Sequence, residues 1–578
     1  MKRFLAGLLA CSMMATALAG CGGGTSGSTN TGSTATGDTA VSSASQASDS
    51  GTGTASSVSW WMDTLNLAST ITGSFKNSVA WQQYAENVGV SIDWQEPASG
   101  QAAEQFNLVV SSPNLPDIMY YNWSAYPGGP DAAINDGKIV ALNDYLDEYA
   151  PNFSAYLEAH PDMSKEIMTD QGNIYCFPAI YTYTSMDSDK WQDAIDREPY
   201  AESFIGLVVR KDLLDKAGLD TPVTLDDWYE TLKSFKAMGI KYPMSFLAMF
   251  ATMAQTFGSA YDVTLPIIGY GSAGARNAFG VSADGSIEFG PAKAEYKDYL
   301  TFMNKLYNEG LLDPDFMVQD QPTLHSKIIN GEVGAWVEMM PTGLGNLRSQ
   351  VLQADPNSEF YPIGVSNPVA TEGQKLYYKQ GNSPFTASGS AITSSCKDIA
   401  TACKVLDYGW SEEGNRILNW GIEGESYEFV DGWPKLTDKM INNADGLAPS
   451  EEFSKYRNLN GPYPMDHSQR LELKRDYSLA DGEVDENLLS LDLWSSDDNG
   501  TQRAGLPSTT MLAADTAEYA NLFNEVGTYV EEMYAKFVMG SEPLDNFDKY
   551  QENLSSMGLD RVLELQTAAL ARYEQRGE

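Results

Sequence analysis

Cysteine is scarce in this 578-residue sequence, with five residues at 11, 21, 176, 396 and 403. Cys11 and Cys21 belong to an unusual N-terminal segment, which leaves Cys176, Cys396 and Cys403, an odd number. A disulfide framework is therefore excluded, and at most one bridge stays open. Cys396 and Cys403 are seven apart on an expected helix, where both can also serve as small buried residues. Histidine is scarcer still. His160, His325 and His467 stand in no ligand spacing, which argues against zinc. There is no phosphate-cradling glycine loop and no nucleophile elbow. Positive charge is in short supply, with 37 Lys and Arg against 78 Asp and Glu and a formal charge of −41. That balance argues against nucleic acid and anionic lipid as partners. It offers an anionic ligand no general attraction, although a local basic pocket stays possible, and such acidity also serves solubility alone. Beyond the N-terminus no apolar run reaches membrane-spanning length.

At the N-terminus, Lys2 and Arg3 precede an uncharged, largely apolar stretch of 16 residues, Phe4 to Ala19. It is short for a bilayer span and suited to the core of a secretory signal. Leu18-Ala19-Gly20-Cys21 looks like a bacterial lipobox, which makes Cys21 the expected site of lipidation (palmitate or a related chain) and the mature N-terminus. From Gly22 to Ser57, Gly, Ser, Thr and Ala dominate, a composition that cannot bury enough surface to offset its ordering entropy. It reads as a tether with a typical end-to-end distance of roughly 30 Å. Signal 1–20, tether 21–57 and a folded part starting near Val58 place the protein at a membrane, outside the cytoplasm.

About 520 residues then remain, with 42% hydrophobic and 11% aromatic content over the whole chain, enough for two or more domains. VSWWM (58–62), VGVSIDW (88–94), NLPDIMYYNW (114–123) and SFIGLVV (203–209) read as strands, alternating with helical stretches such as SVAWQQYAENVG. That order predicts βαβ units and a mostly parallel sheet. Gly218 is placed to cap one helix. Thr224 with Asp227 forms the start signal of the next, whose apolar positions Trp228, Leu232 and Phe235 share a face. Residues 293–310 and the last 65 residues also read as helical.

Asp187, Asp189, Asp193 and Glu198 occupy positions 1, 3, 7 and 12 of a calcium-type loop. Trp191 stands where an oxygen ligand is needed, and the turn glycine is missing, so a solvated acidic loop is the competing reading. Many carboxylates are present and no glycosidase pair stands out among them. Aromatic residues do stand out at predicted strand ends: Trp60 and Trp61, Tyr120 to Trp123, Tyr181 and Tyr183, and Trp336. In open α/β sheets ligands bind beyond the carboxyl ends of strands, and aromatic faces there suit sugar rings. Core packing is the alternative role for each of them.

SSPNLPDIMYY, DGKIVALNDYLDEYAPN, GNIYCFP, VVRKDLLDKAGLDTPVTLDDWYETLKSFK, MNKLYNEGLLDPDF, INGEVGAW, AITSSCKDIATACKVLDYGWSEEGN, GIEGESYEFVDGWP, KFVMGSEPLDNFDKY and MGLDRVLELQTAALARY follow one another along the chain. Their order and spacing over residues 58–575 resemble the family 1 extracellular solute-binding lipoproteins, receptor subunits of carbohydrate ABC importers, in their long oligosaccharide-type branch from Gram-positive bacteria. The resemblance implies an α/β, type II periplasmic-binding-protein fold, with two lobes, a ligand cleft and interlobe hinge crossings. It implies chain crossings near 177, 334–336 and 386–391, hence one lobe of 58–176 plus about 332–388 and another of 177–331 plus about 389–578. Cys176 departs from the family pattern, which more usually has glycine there. The implied function is capture of an oligosaccharide and delivery to ABC permease subunits, without catalysis or cofactor, by a monomer lipid-anchored on the outer face of the cell membrane. A surface glycan-degrading enzyme and a receptor for a peptide or other solute are the alternatives. The expected ligand-binding residues are Trp60, Asn122, Trp123, Tyr181, Trp336, Glu338, Trp420 and Glu423.

Overall fold

The computed structural model describes residues 56–63, 71–98, 100–184, 190–200, 203–340, 344–381, 383–447, 449–457, 461–474 and 485–577. The signal, Cys21 and nearly all of the tether lie outside them, as do Asp187 and Asp189 of the calcium-type loop.

Ten strands and one two-residue strand build the two principal sheets; the ten are β1 (Ser57–Trp61), β2 (Ser91–Gln95), β3 (Ile118–Tyr121), β4 (Phe177–Tyr183), β5 (Ile205–Arg210), β6 (Tyr242–Ser245), β7 (Val333–Met339), β8 (Pro362–Val365), β9 (Phe385–Ile392) and β10 (Pro464–Asp466). The first sheet runs β10-β4-β9-β3-β1-β2, with the short strand Glu198–Pro199 paired to β4. Here β1, β2 and β3 are parallel, and β9 runs antiparallel to both β3 and β4. The second sheet runs β8-β5-β7-β6, with β5 antiparallel to both of its neighbours.

Each sheet carries its own core, because its apolar faces are covered by the helices between its strands. Trp60, Trp81, Phe106, Trp123, Phe153 and Phe177 belong to the first. Trp228, Phe235, Phe257, Leu300 and Phe537 lie in the second, and Trp336 and Trp494 belong to a further cluster beside it. Local signals act where the sequence places them. Thr224 and Asp227 form a reciprocal capping box at the start of Leu225–Ala237, and Gly218 ends Lys211–Ala217 in the left-handed conformation. The C-terminal region supplies three long helices, Ala513–Val538, Phe547–Ser556 and Leu559–Glu574. No helix of the described residues is long and apolar enough to cross a membrane.

Pairing corrects the expected lobe boundaries. Residues 333–339 form β7 inside the second sheet, and 385–392 form β9 inside the first. Phe177 opens β4 of the first sheet and marks no crossing. Of the described residues, those within 56–200 and 383–474 thus belong to the first lobe, and those within 203–381 and 485–577 to the second. The chain crosses after Tyr200, returns between Gln380 and Phe385, and crosses again after residue 474. The three stretches taken for hinges are sheet strands, since a buried strand and a hinge strand carry the same apolar pattern. At the crossings, Phe204 N–H donates to Gln380 Oε1 at 3.0 Å and Lys379 Nζ to Ser495 O at 2.7 Å.

Cys176, Cys396 and Cys403 are all buried free thiols. Cys396 precedes the helix Ile399–Tyr408 that contains Cys403, so the two do not share a helix. Burial pushes Cys396 up to about 11 and Cys403 up to about 12.

Candidate functional site

The carboxyl ends of β3 and β4 and the start of β9 lie side by side, because β9 runs against both neighbours. Asn122, Ser124, Tyr181, Ser383, Phe385, Thr386 and Ala387 from this edge face Arg276, Arg503 and residues 506–509 of the second lobe across a cavity of about 500 Å³. An adjoining cavity of about 450 Å³ lies between Ser124, Tyr126, Gly128 and Gly129 on one side and Arg276, Phe279, Arg503, Thr510 and Tyr519 on the other. Ser124, Arg276, Arg503, Leu506, Pro507 and Thr509 line both. Both lobes therefore contribute walls, at the strand ends where a parallel α/β sheet offers its ligand site.

Asn122 caps the turn Trp123–Ala125, its Oδ1 accepting from Ser124 N–H at 3.0 Å, which leaves the amide nitrogen available to a ligand. Tyr126 donates to Asp136 Oδ2 at 2.8 Å; burial, aided by that carboxylate, pushes its hydroxyl up to about 12. On β9 the pairing register shifts between Phe385 and Gly389, and Ala387 adopts φ +59°. This is a bulge with a non-glycine residue in the left-handed region, a device that re-aims side chains beside functional sites.

Across the cleft, close backbone packing positions Arg276. It begins the turn that follows the helix Gly271–Ala275. A side chain on Gly274 would strike the Ile267 carbonyl, and one on Gly527 would come within 2.7 Å of Ser272 Cα, so glycine at 274 lets the helix close on the Ile267 segment and glycine at 527 lets it lie against Ala513–Val538. The exposed Arg276 guanidinium stands 5.6 Å from the centroid of the Tyr519 ring. Arg503 sits on a short strand paired with Tyr378–Lys379, its guanidinium donating to Ala504 O at 3.2 Å and Leu506 O at 3.0 Å. Burial pulls this guanidinium below its ordinary value, and Glu166 and Tyr573 oppose the shift. Glu166 itself already accepts from Ser508 N–H at 3.0 Å and Tyr573 O–H at 2.9 Å.

Of the expected ligand-binding residues, Asn122 and Tyr181 line the cleft. Trp60, Trp123 and Trp336 are fully buried, and Trp420 is 1% exposed. Trp60 stacks on Trp94 at 5.1 Å and donates to Ser390 Oγ at 3.2 Å. Trp123 turns inward onto Phe106 although its neighbours on either side face the cleft. Trp336 stacks with Phe360, and Trp420 belongs to a satellite cluster with Tyr427 and Phe453. Glu338 is wholly buried and bound to His325 Nε2 at 2.9 Å and Gln321 Nε2 at 3.1 Å. Glu423 is exposed in a turn and lines neither cavity. These six are corrected from ligand contacts to structural or peripheral positions: the four tryptophans and Glu338 are buried, and Glu423 is exposed away from both cavities. Among the described residues no group of three or more His, Cys, Asp or Glu side chains is arranged to hold a metal. Asp193 and Glu198 of the calcium-type loop are described; burial pushes Asp193 up, and Glu198 lies on the strand paired to β4.

Missed by the sequence reading are Arg276, Arg503, Tyr126, Tyr519 and the Ala387 bulge. The only signal for the arginines was their rarity in so acidic a chain.

With this geometry described, comparisons with known proteins add the following. The family described as bacterial extracellular solute-binding protein matches residues 68–416. The fructooligosaccharide ABC transporter substrate-binding protein FusA of Streptococcus pneumoniae serotype 4 is 22% identical over 519 residues, 85% of this chain and 86% of that protein. Among solved structures, an HMO-binding, ABC-transporter-associated solute-binding protein of Bifidobacterium longum infantis superposes with a TM-score of 0.68 at 17% identity, over 90% of this chain and 99% of that one. The alginate-binding protein AlgQ2 superposes with a TM-score of 0.65 at 19% identity, over 90% and 98%. At these identities the structural likeness speaks for the fold, the two-lobed substrate-binding architecture.

Proposed function

Because the chain belongs to the bacterial extracellular solute-binding protein family, we propose that it is the extracellular receptor of an ABC importer, one that captures an oligosaccharide between its lobes and hands it to the membrane permease. The observation that carries this reading is a pair of adjoining cavities walled by both lobes at the strand ends of the first sheet. Asn, Ser, Thr, Tyr and Arg groups in these walls can bond hydroxyls, while the partly exposed Tyr126 and Tyr181 offer apolar ring faces. FusA, similar over most of its length, is named for fructooligosaccharides. Against the glycan-degrading alternative, neither cavity has a carboxylate among its described lining residues, whereas glycosidases work with a pair.

In this reading the chain acts as a monomer tethered by lipid on Cys21, and closure of the lobes on sugar is the hinge motion that the permease senses. Two measurements test it. An oligosaccharide library should contain members that raise the melting temperature and are recovered uncleaved by mass spectrometry, and small-angle scattering should show compaction with such a member. Cys21→Ala should release the mature chain from membranes with its melting temperature unchanged. Absence of any stabilising oligosaccharide would overturn the receptor reading; a membrane-bound Cys21→Ala variant would overturn the anchor.

A further inference from the structure

Arg276 and Arg503 are the only charged side chains in the described walls of the two cavities. The chain as a whole has 78 acidic residues against 37 Lys and Arg, about two to one. In a wall drawn at random from such a chain, carboxylates would outnumber cations about two to one; this one carries none among its described residues.

Neither arginine forms an ion pair among the described residues. Arg503 is held by two backbone carbonyls, and Arg276 stands over the Tyr519 ring. The carboxylate that acts on Arg503 is Glu166, and it is already engaged by Ser508 and Tyr573. The cations are thus kept apart from an abundant supply of surface carboxylates, at the junction that both cavities share.

The hydrogen-bonding character of the walls points the same way. A sugar hydroxyl needs an acceptor as well as a donor, and carboxylates are the strongest acceptors a protein has. Guanidinium groups only donate. Walls with two guanidinium groups and no carboxylate match a ligand rich in acceptors, above all one with a planar anion that an arginine fork binds through two parallel bonds. We propose that the cleft selects an acidic oligosaccharide, with a carboxylate or other anionic substituent of the sugar held by Arg276 and Arg503. This rests on the receptor reading above and specifies the charge of its ligand. The net negative field of the rest of the chain would repel such a ligand, so the pair also accounts for how the cleft overcomes it.

The test uses the full folded chain and matched ligand pairs. Oligogalacturonate is compared with its methyl-esterified form, sulfated oligosaccharides with their desulfated forms, and sialylated with desialylated ones, by calorimetry and thermal shift. At least one acid should bind more tightly than its neutral partner, with an affinity that falls as salt is raised. The pair that responds names the anion. Arg276→Gln should weaken that acid about tenfold or more, a clearly larger loss than its neutral partner suffers, and Arg276→Lys should recover part of it. Arg276 is exposed, so its variants keep the fold; Arg503→Gln is read only where its unfolding curve overlays that of the parent. Neutral partners that bind as well as or better than the acids, or Arg276→Gln without effect, would overturn the acidic-ligand inference and leave the receptor reading standing. Failure of every oligosaccharide, acidic and neutral, would overturn the receptor reading and this inference with it.

Discussion

Arg576, in the tail of the second lobe, donates through Nη2 to Asp170 Oδ1 of the first lobe at 2.6 Å. Arg572 Nε reaches the other oxygen of the same carboxylate at 2.9 Å. The two arginines also donate to Thr510 O and Ser508 O, so the segment that lines the binding cavities is tied into the same network. An interlobe contact and a cavity wall therefore share their hydrogen bonds.

Asp170→Asn removes the charge from this network while keeping its shape. The arginine side chains are left partly or wholly buried without their counter-ion, Arg576 at 2% exposure. Stability should fall by about 2–3 kcal/mol, read from urea denaturation. Scattering of the ligand-free protein should show a more open average shape, and an unchanged profile would mean that the lobes are held by their crossings alone.

Trp123→Ala and Trp336→Ala should each cost about 3–5 kcal/mol of stability, since both rings are completely buried. Reading them as ligand-stacking residues predicts instead a loss of affinity with unfolding unchanged. Denaturation curves distinguish the two outcomes directly, and an unchanged midpoint for either variant would return that tryptophan to the cleft.

Gly389→Ala places a methyl group 2.5 Å from Cys176 Sγ and 2.7 Å from Phe177 O. The side chain can yield but the carbonyl belongs to the sheet, so a loss of about 1–3 kcal/mol is expected. Adding Cys176→Ala should restore only part of it, as a comparison of the single and double variants by denaturation will show. Glycine at 389 thus accommodates the sulfur of Cys176.

Helix starts make stability acid-sensitive. A hydrogen bond from Thr401 N–H holds Asp398 below the ordinary 3.8, and bonds from Thr224 and Thr323 do the same for Asp227 and Asp320. A folded-state value below the unfolded one stabilises the fold above the unfolded value, and that contribution is lost as pH falls through the folded value. Asp398→Ala should therefore cost about 1 kcal/mol at neutral pH, and the difference from the parent should shrink as the buffer is taken below 3.8. A gap that is independent of pH would assign the cost to helix propensity.

The sequence by itself determined the elements and their class. Alternating apolar residues, the Thr224–Asp227 box and Gly218 are local signals, and each acts through bonds that reach only a few residues along the chain. Two of the residues it offered as ligand contacts, Asn122 and Tyr181, line a cavity, because the ends of a strand can be located from the strand alone. Tertiary structure decided which lobe each strand joins, since β7 and β9 choose partners about ninety to more than two hundred residues away along the chain. It also decided which aromatics face the cavity: Asn122 lines it while its neighbour Trp123 turns inward onto Phe106 of the helix Ala102–Val110. Arg276 and Arg503, more than two hundred residues apart, become one site only when the second lobe folds and its small-residue helix contact and short strand bring them to the same wall.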